Sequence, residues 1–182
     1  MLLERIQQNA SLLAEHPAYR CGEDSLTYSQ LWNAASLLAA QLQDSAGAVA
    51  LIGTKQPMMA VGMLGSLLAG RPYLPLSSDQ PKERLQRILS QANPGTVIDC
   101  REAKAEQWLK REPAMQNFLI PGDPSRDAYW LFTSGSSGSP KGVRISLAAL
   151  ENFVRWFCAL PAIRSRKKPG AALNQAQFSF DL

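Results

Sequence analysis

Histidine is nearly absent from this chain. One residue, His16, stands among 182. That excludes a multi-histidine metal centre and leaves a single imidazole for any Ser-His or Cys-His catalysis. His16 precedes Pro17 at the expected end of a helix, which suits a helix-end or surface role. Cysteine is scarce as well. Cys21, Cys100 and Cys158 lie far apart, form no C-x-x-C pair and are odd in number. A disulfide framework is therefore not expected, and a reducing, cytoplasmic setting fits best. Long hydrophobic runs are missing: Met58–Gly70 is the most apolar stretch, short of the ~20 residues a bilayer requires. Met1-Leu2-Leu3-Glu4-Arg5 lacks the basic-then-apolar order of a signal peptide. No repeats or low-complexity tracts occur. A soluble protein without a membrane span is expected.

Charge of one sign is in small excess, at net +4. Its densest point is Arg164-Ser165-Arg166-Lys167-Lys168, followed directly by Pro169-Gly170. This reads as a solvated loop. No aromatic side chains interleave with it as a base-stacking platform would need, so nucleic acid is not an expected partner. Apolar residues make up 46% of the chain and charged residues 19%, a globular balance, and the length suffices for one domain with a real core.

Strand and helix patterns alternate along the chain. Leu2–Glu15 reads as an amphipathic helix, and residues 19–26 as a small hairpin. Thr27 caps the next helix, with Gln30 completing a capping box, and Leu31, Ala34, Ala35, Leu38 and Leu42 fall on one face. Val49–Gly53 is continuously apolar, as suits a strand buried on both faces of a parallel sheet. Pro57 opens a helix whose Met58–Leu68 is apolar nearly all round, so deeply buried, with methionine as core filler. Tyr73-Leu74-Pro75 is a short strand. Pro81–Ala92 is a helix with Leu85, Ile88 and Leu89 inward. Thr96–Asp99 reads as a strand, Glu102–Lys110 as a charged surface helix and Asn117–Ile120 as another short strand. The break at Pro121-Gly122-Asp123-Pro124 is the clearest in the chain. Leu147–Leu160 is a strong amphipathic helix, with Leu147, Leu150, Phe153, Val154 and Phe157 on one face. Ala171–Gln175 reads as a further strand. The whole predicts an α/β fold with a mainly parallel sheet flanked by helices.

The most informative stretch is Tyr129–Ser146, YWLFTSGSSGSPKGVRIS. An apolar strand, Tyr129–Thr133, enters a loop of glycines and hydroxyls. Pro140-Lys141-Gly142 follows, and then a second strand at Val143-Arg144-Ile145. Glycines let backbone N–H groups turn toward a guest, while hydroxyls and one lysine add donors and positive charge. Such a loop suits a polyphosphate. By composition alone it also fits a Gly/Ser-rich surface turn. It is not a Walker loop: Lys141 follows Pro140, Gly142 stands where Ser or Thr belongs, and a strand rather than a helix comes next. The pattern G-x-G-x-x-G is absent too.

The order Thr-Ser-Gly-Ser-Ser-Gly-x-Pro-Lys-Gly resembles the phosphate-binding signature of the adenylate-forming (AMP-binding) superfamily, with Ser137 where Thr is usual. Two more stretches carry the resemblance. Leu68-Ala69-Gly70-Arg71-Pro72-Tyr73-Leu74-Pro75-Leu76, with Pro81 and Glu83-Arg84-Leu85 after it, is similar to a structural segment of the amino-acid-activating members. Asn174-Gln175-Ala176-Gln177-Phe178-Ser179-Phe180-Asp181 resembles their Phe-Asp motif, in a form closest to ligases that charge D-alanine onto a carrier protein. Gln177 stands where that form has proline.

The resemblance implies a two-step reaction with ATP and Mg2+. An amino-acid carboxylate is adenylated, and the thiol of a phosphopantetheinyl carrier protein then takes the acyl group. It places Thr133, Ser134, Gly135, Ser136, Ser137, Gly138, Lys141 and Gly142 at the ATP phosphates, and Asp181 at the substrate ammonium. It covers residues 1–182 as a partial N-terminal adenylation domain, with the C-terminal domain and the catalytic lysine absent, so no residue here is assigned to catalysis. Two expectations follow. Either this is the front part of an amino-acid ligase, inactive alone, or it is a non-catalytic adenylation-like remnant that binds a nucleotide or a partner.

Overall fold

The computed structural model describes residues 2–102, 123–134, 139–165 and 170–179, with Ser134 described in its backbone only. Helix α1 (Leu2–Leu12) leads to a hairpin, β1 (Pro17–Cys21) and β2 (Asp24–Thr27). Then come α2 (Tyr28–Gln41), β3 (Val49–Gly53), α3 (Pro57–Leu68), β4 (Tyr73–Ser77), α4 (Lys82–Ala92) and β5 (Thr96–Asp99). After the undescribed stretch stand β6 (Asp127–Ser134), β7 (Pro140–Ser146), α5 (Leu147–Ala159) and the short α6 (Pro161–Arg164).

The larger sheet runs β5-β3-β4-β6-β7. Its first four strands are parallel, and β7 returns antiparallel to β6. The expected mainly parallel sheet flanked by helices is the observed fold. Val49, Ala50 and Leu51 are fully buried, as the unbroken apolar run of β3 required. Helix α3 buries nine residues, including Met58 and Met59, and both methionines are core. Its small residues allow close approach. A Cβ on Gly62 would lie 2.6 Å from Leu51 Cδ2, and one on Gly65 would lie 3.0 Å from the carbonyl oxygen of Ala35 on α2. Helix α2 starts at the expected capping box. Thr27 Oγ1 accepts from the Gln30 amide at 3.2 Å, and Gln30 Oε1 accepts from the Thr27 amide at 2.9 Å. These bonds satisfy donors that the helix start would otherwise leave open.

The β4–β6 ladder is a single register pair, Tyr73 with Tyr129. Their rings stack at 5.3 Å. Pro75, which has no N–H to give a ladder, stands just beyond the point where that pairing stops.

Four expectations need correction. Helix α1 ends at Leu12 rather than Glu15, and the chain turns there, with the His16 amide donating to Leu13 O. Pro140-Lys141-Gly142 lies within β7 rather than in the loop before it. Ala171–Gln175 is not a strand: the Asn174 and Gln175 carbonyls accept from the Lys55 ammonium, not from a neighbouring strand. The apolar face of α5 is only partly covered, with Leu147 buried but Phe153 50% and Phe157 38% exposed. Residues 103–110 of the expected charged helix and the strand at Asn117–Ile120 lie outside the described residues, as do residues 166–168 of the basic run.

Candidate functional site

The glycine- and serine-rich loop sits at the tip of the β6–β7 hairpin, after the C-terminal end of a strand parallel to β3 and β4. In open parallel sheets this edge is where ligands bind. Its stem is a regular antiparallel ladder, which pairs Phe132 with Gly142, Thr133 with Lys141 and Ser134 with Pro140. Side chains of directly opposed residues share a face. Thr133 and Lys141, both exposed, therefore flank the loop mouth together. Thr133 Oγ1 lies 3.5 Å from the Lys141 carbonyl. Gly142 has a packing reason of its own, because a Cβ there would lie 3.0 Å from Phe132 Cζ. Gly135, Ser136, Ser137 and Gly138, and the Ser134 side chain, lie outside the described residues.

The far end of the hairpin is fastened independently. Asp127 Oδ2 accepts from Trp130 Nε1 at 2.7 Å and from Arg144 Nε, and the Arg144 guanidinium lies 5.3 Å from the Trp130 ring centroid. Arg126 donates through Nη2 to the Leu67 carbonyl at 3.0 Å, tying the start of β6 to α3. Burial holds its pKa below the usual arginine range, against the pull of Asp123. The α5 amides of Leu147 and Ala148 donate to Arg126 O and Pro124 O, and Ser146 Oγ caps Ala149 N. The loop thus springs from a stem held at its base by charge and by helix capping.

The second part of the site is the segment 174–179. It borders a cleft of about 620 Å3 lined mainly by apolar side chains from α3, β4, β6, β7 and α5, Met63, Tyr73, Leu131 and Phe153 among them. Phe178 packs on the core beside Tyr19, with ring centroids 6.4 Å apart. The Ser179 hydroxyl is buried, without a partner among the described residues. Asp181 lies outside the described residues.

Two residues here were not singled out from sequence. Lys55 follows the C-terminal end of β3 and reaches Asn174 O at 2.6 Å and Gln175 O at 2.9 Å. Tyr19 donates its hydroxyl to Lys55 O at 3.0 Å, and burial chiefly, with Cys21 adding, pushes its pKa to about 12. A lysine just past a parallel strand was the available signal, through the rule that such ends carry ligands. The three cysteines are free. Among the described residues no three His, Cys, Asp or Glu side chains gather as a metal site, and no helix is long and apolar enough to cross a membrane.

Comparison with known proteins bears on this edge. Residues 6–182 match the family described as AMP-binding enzyme. A D-alanine--D-alanyl carrier protein ligase of Staphylococcus aureus is 33% identical over 190 aligned positions, covering 100% of this chain and 39% of the ligase. The chain therefore spans about two fifths of the length of the curated relatives it matches. Among solved structures, the N-terminal subdomain of Klebsiella oxytoca NpsA, in complex with 3-hydroxyanthranilyl-AMSN, superposes with a TM-score of 0.65 at 24% identity, over 80% of this chain and 40% of that one. A malonyl-CoA ligase, as a ternary product complex with methylmalonyl-CoA and AMP, superposes with a TM-score of 0.65 at 31% identity, over 80% and 32%.

Proposed function

Because the chain belongs to the AMP-binding enzyme family, we propose that it supplies the phosphate loop and part of the amino-acid pocket of a ligase that activates an amino acid, D-alanine first among candidates, and loads it onto a carrier-protein thiol. The observation that carries this reading is the loop mouth, where Thr133 and Lys141 are paired across the hairpin at the ligand-binding edge of a parallel sheet. The Asn-Gln-Ala-x-Phe-Ser-Phe-Asp segment on the same fold, and the likeness to the Staphylococcus aureus ligase, support an amine-bearing substrate.

In this reading the hydroxyls of Thr133, Ser134, Ser136 and Ser137 donate to phosphate oxygens of ATP. The N–H groups of Gly135 and Gly138 add donors to the same phosphates, and Gly142 lets the stem pack closely. Lys141 offsets the charge on the departing pyrophosphate. Mg2+ would enter with the triphosphate and offset its charge, and the hydroxyl-bearing residues Thr133, Ser134, Ser136 and Ser137 supply the hard oxygen donors of this chain that would suit it. The amino-acid carboxylate attacks the α-phosphorus and pyrophosphate leaves. The carrier thiol then attacks the acyl carbon and AMP leaves. Asp181 pairs with the substrate ammonium, a charge-assisted contact. The protein works in the cytoplasm in this reading. Since the 182 residues span 39% of such a ligase, alone they are expected to show no turnover.

The test is amino-acid-dependent ATP–pyrophosphate exchange by the native gene product, with D-alanine, L-alanine and glycine compared. D-Alanine is expected to drive exchange, and Lys141→Ala to slow it by roughly a hundredfold. Exchange with no amino acid would overturn the ligase reading. A Lys141→Ala enzyme with unchanged ATP affinity and rate would remove Lys141 from the site.

A further inference from the structure

We propose that Lys55 is a positioning residue for the amino-acid side of the site. Its ammonium holds the segment 174–178 against the sheet edge, where Asn174, Ala176, Gln177 and Phe178 wall the cleft. This rests on the reading of that cleft as part of the amino-acid pocket.

The geometry is specific. Lys55 sits on the turn after β3, at the C-terminal edge of the parallel strands. The β6 end that carries the phosphate loop lies two strands away, roughly 10 Å across the sheet. The ammonium donates to the carbonyls of Asn174 and Gln175, residues 119 and 120 positions later in the chain. An ammonium has three donors and no acceptor, so two carbonyls on successive residues form a fitting cradle. Both are long-range hydrogen bonds that tie the segment to the turn after β3.

The base of the lysine is held in turn. Its own carbonyl accepts from the Tyr19 hydroxyl, and the Tyr19 ring meets Phe178, which packs on the core around Leu51 and Met59. The segment is thus held at its start by Lys55 and at Phe178 by apolar contact. A segment fixed at two points four residues apart keeps the stretch of cleft wall between them in place. A substrate that must be aligned for reaction tolerates little displacement of that wall.

Two measurements on the native gene product test this, with Lys55→Met and Lys55→Arg. The first is chymotryptic cleavage after Phe178, followed by mass spectrometry. Lys55→Met is expected to speed it about tenfold and Lys55→Arg to restore the slow rate, because cleavage needs the segment released. The second is the split of KM values in pyrophosphate exchange. Lys55→Met is expected to raise the amino-acid KM about tenfold with the ATP KM within about twofold, and Lys55→Arg to recover most of the loss. Unchanged cleavage after Phe178, or equal shifts in both KM values, would overturn the proposal. A wild type that exchanges pyrophosphate with no amino acid would instead overturn the function on which it rests, while the cleavage assay still reports on the anchor.

Discussion

The two sides of the sheet differ in how completely they are covered. Around β3 and β4, Val49, Ala50, Leu51 and Leu74 are fully buried. Helices α2 and α3 pack against this side through Ala34, Ala35, Met58, Met59 and Val61, none more than 1% exposed. Around β7 and α5, Val143 is 43%, Phe153 50% and Trp156 58% exposed. Phe153 makes ring contacts with Trp156 and Phe157 on its own helix, so these aromatics meet one another rather than a facing layer. The glycine- and serine-rich loop springs from the less covered side. The comparison separates two roles. One side is a self-sufficient frame whose small residues and buried methionines hold strand ends in place. The other presents the loop and cleft and depends on local fastening by Asp127, Trp130, Arg144 and Lys55. Sites with few buried contacts open more readily than the frame that carries them.

Substitutions can break or sharpen that contrast. The largest effect is expected in the frame. Leu51→Ala removes a fully buried side chain packed under Gly62 and should cost about 3 kcal/mol in urea unfolding. A cost below about 1 kcal/mol would mean the β3 side is looser than its burial indicates.

Alkaline pH should also act on the frame first. Burial, with Asp99 adding, pushes the Cys100 thiol from 9.0 to about 12. The stability it contributes is whole below about pH 9 and lost as pH rises toward 12, because the unfolded thiol ionises first. A fall on the order of a few kcal/mol across that window is the expected result of unfolding measured from pH 8 to 11.5, with the part between about pH 9 and 10 lost in Cys100→Ala and the Tyr19 phenol, raised from 10.0 to about 12, contributing above about pH 10. Thr27→Ala removes one arm of the capping box and should cost about 1 kcal/mol in the same assay. The smallest effect belongs to the open side. Trp156→Ser should change stability by no more than about 0.5 kcal/mol. A loss above about 2 kcal/mol would show that α5 is covered after all.

Local chemistry was legible in the residues themselves. The capping box at Thr27, the helix opened by Pro57, the buried run of β3 and the two strands that flank the glycine- and serine-rich loop all follow from short-range rules, and the structure carries each of them. The signature Thr133–Gly142 and the motif ending in Asp181 carried the family likeness, because spacing within a loop is preserved in the linear chain. Strand neighbours were not legible. The order β5-β3-β4-β6-β7, and the lone Tyr73–Tyr129 pair beside Pro75, depend on which layers pack together. The strand pattern at Ala171–Gln175 misled because a short apolar stretch becomes a strand only when another strand offers it a ladder, and here its carbonyls meet a lysine. That lysine is the plainest case of what only the tertiary structure decided. Nothing local relates Lys55 to Asn174 and Gln175, residues more than a hundred positions away. The turn after β3 and the segment before Asp181 meet only because a parallel sheet brings its strand ends to one edge.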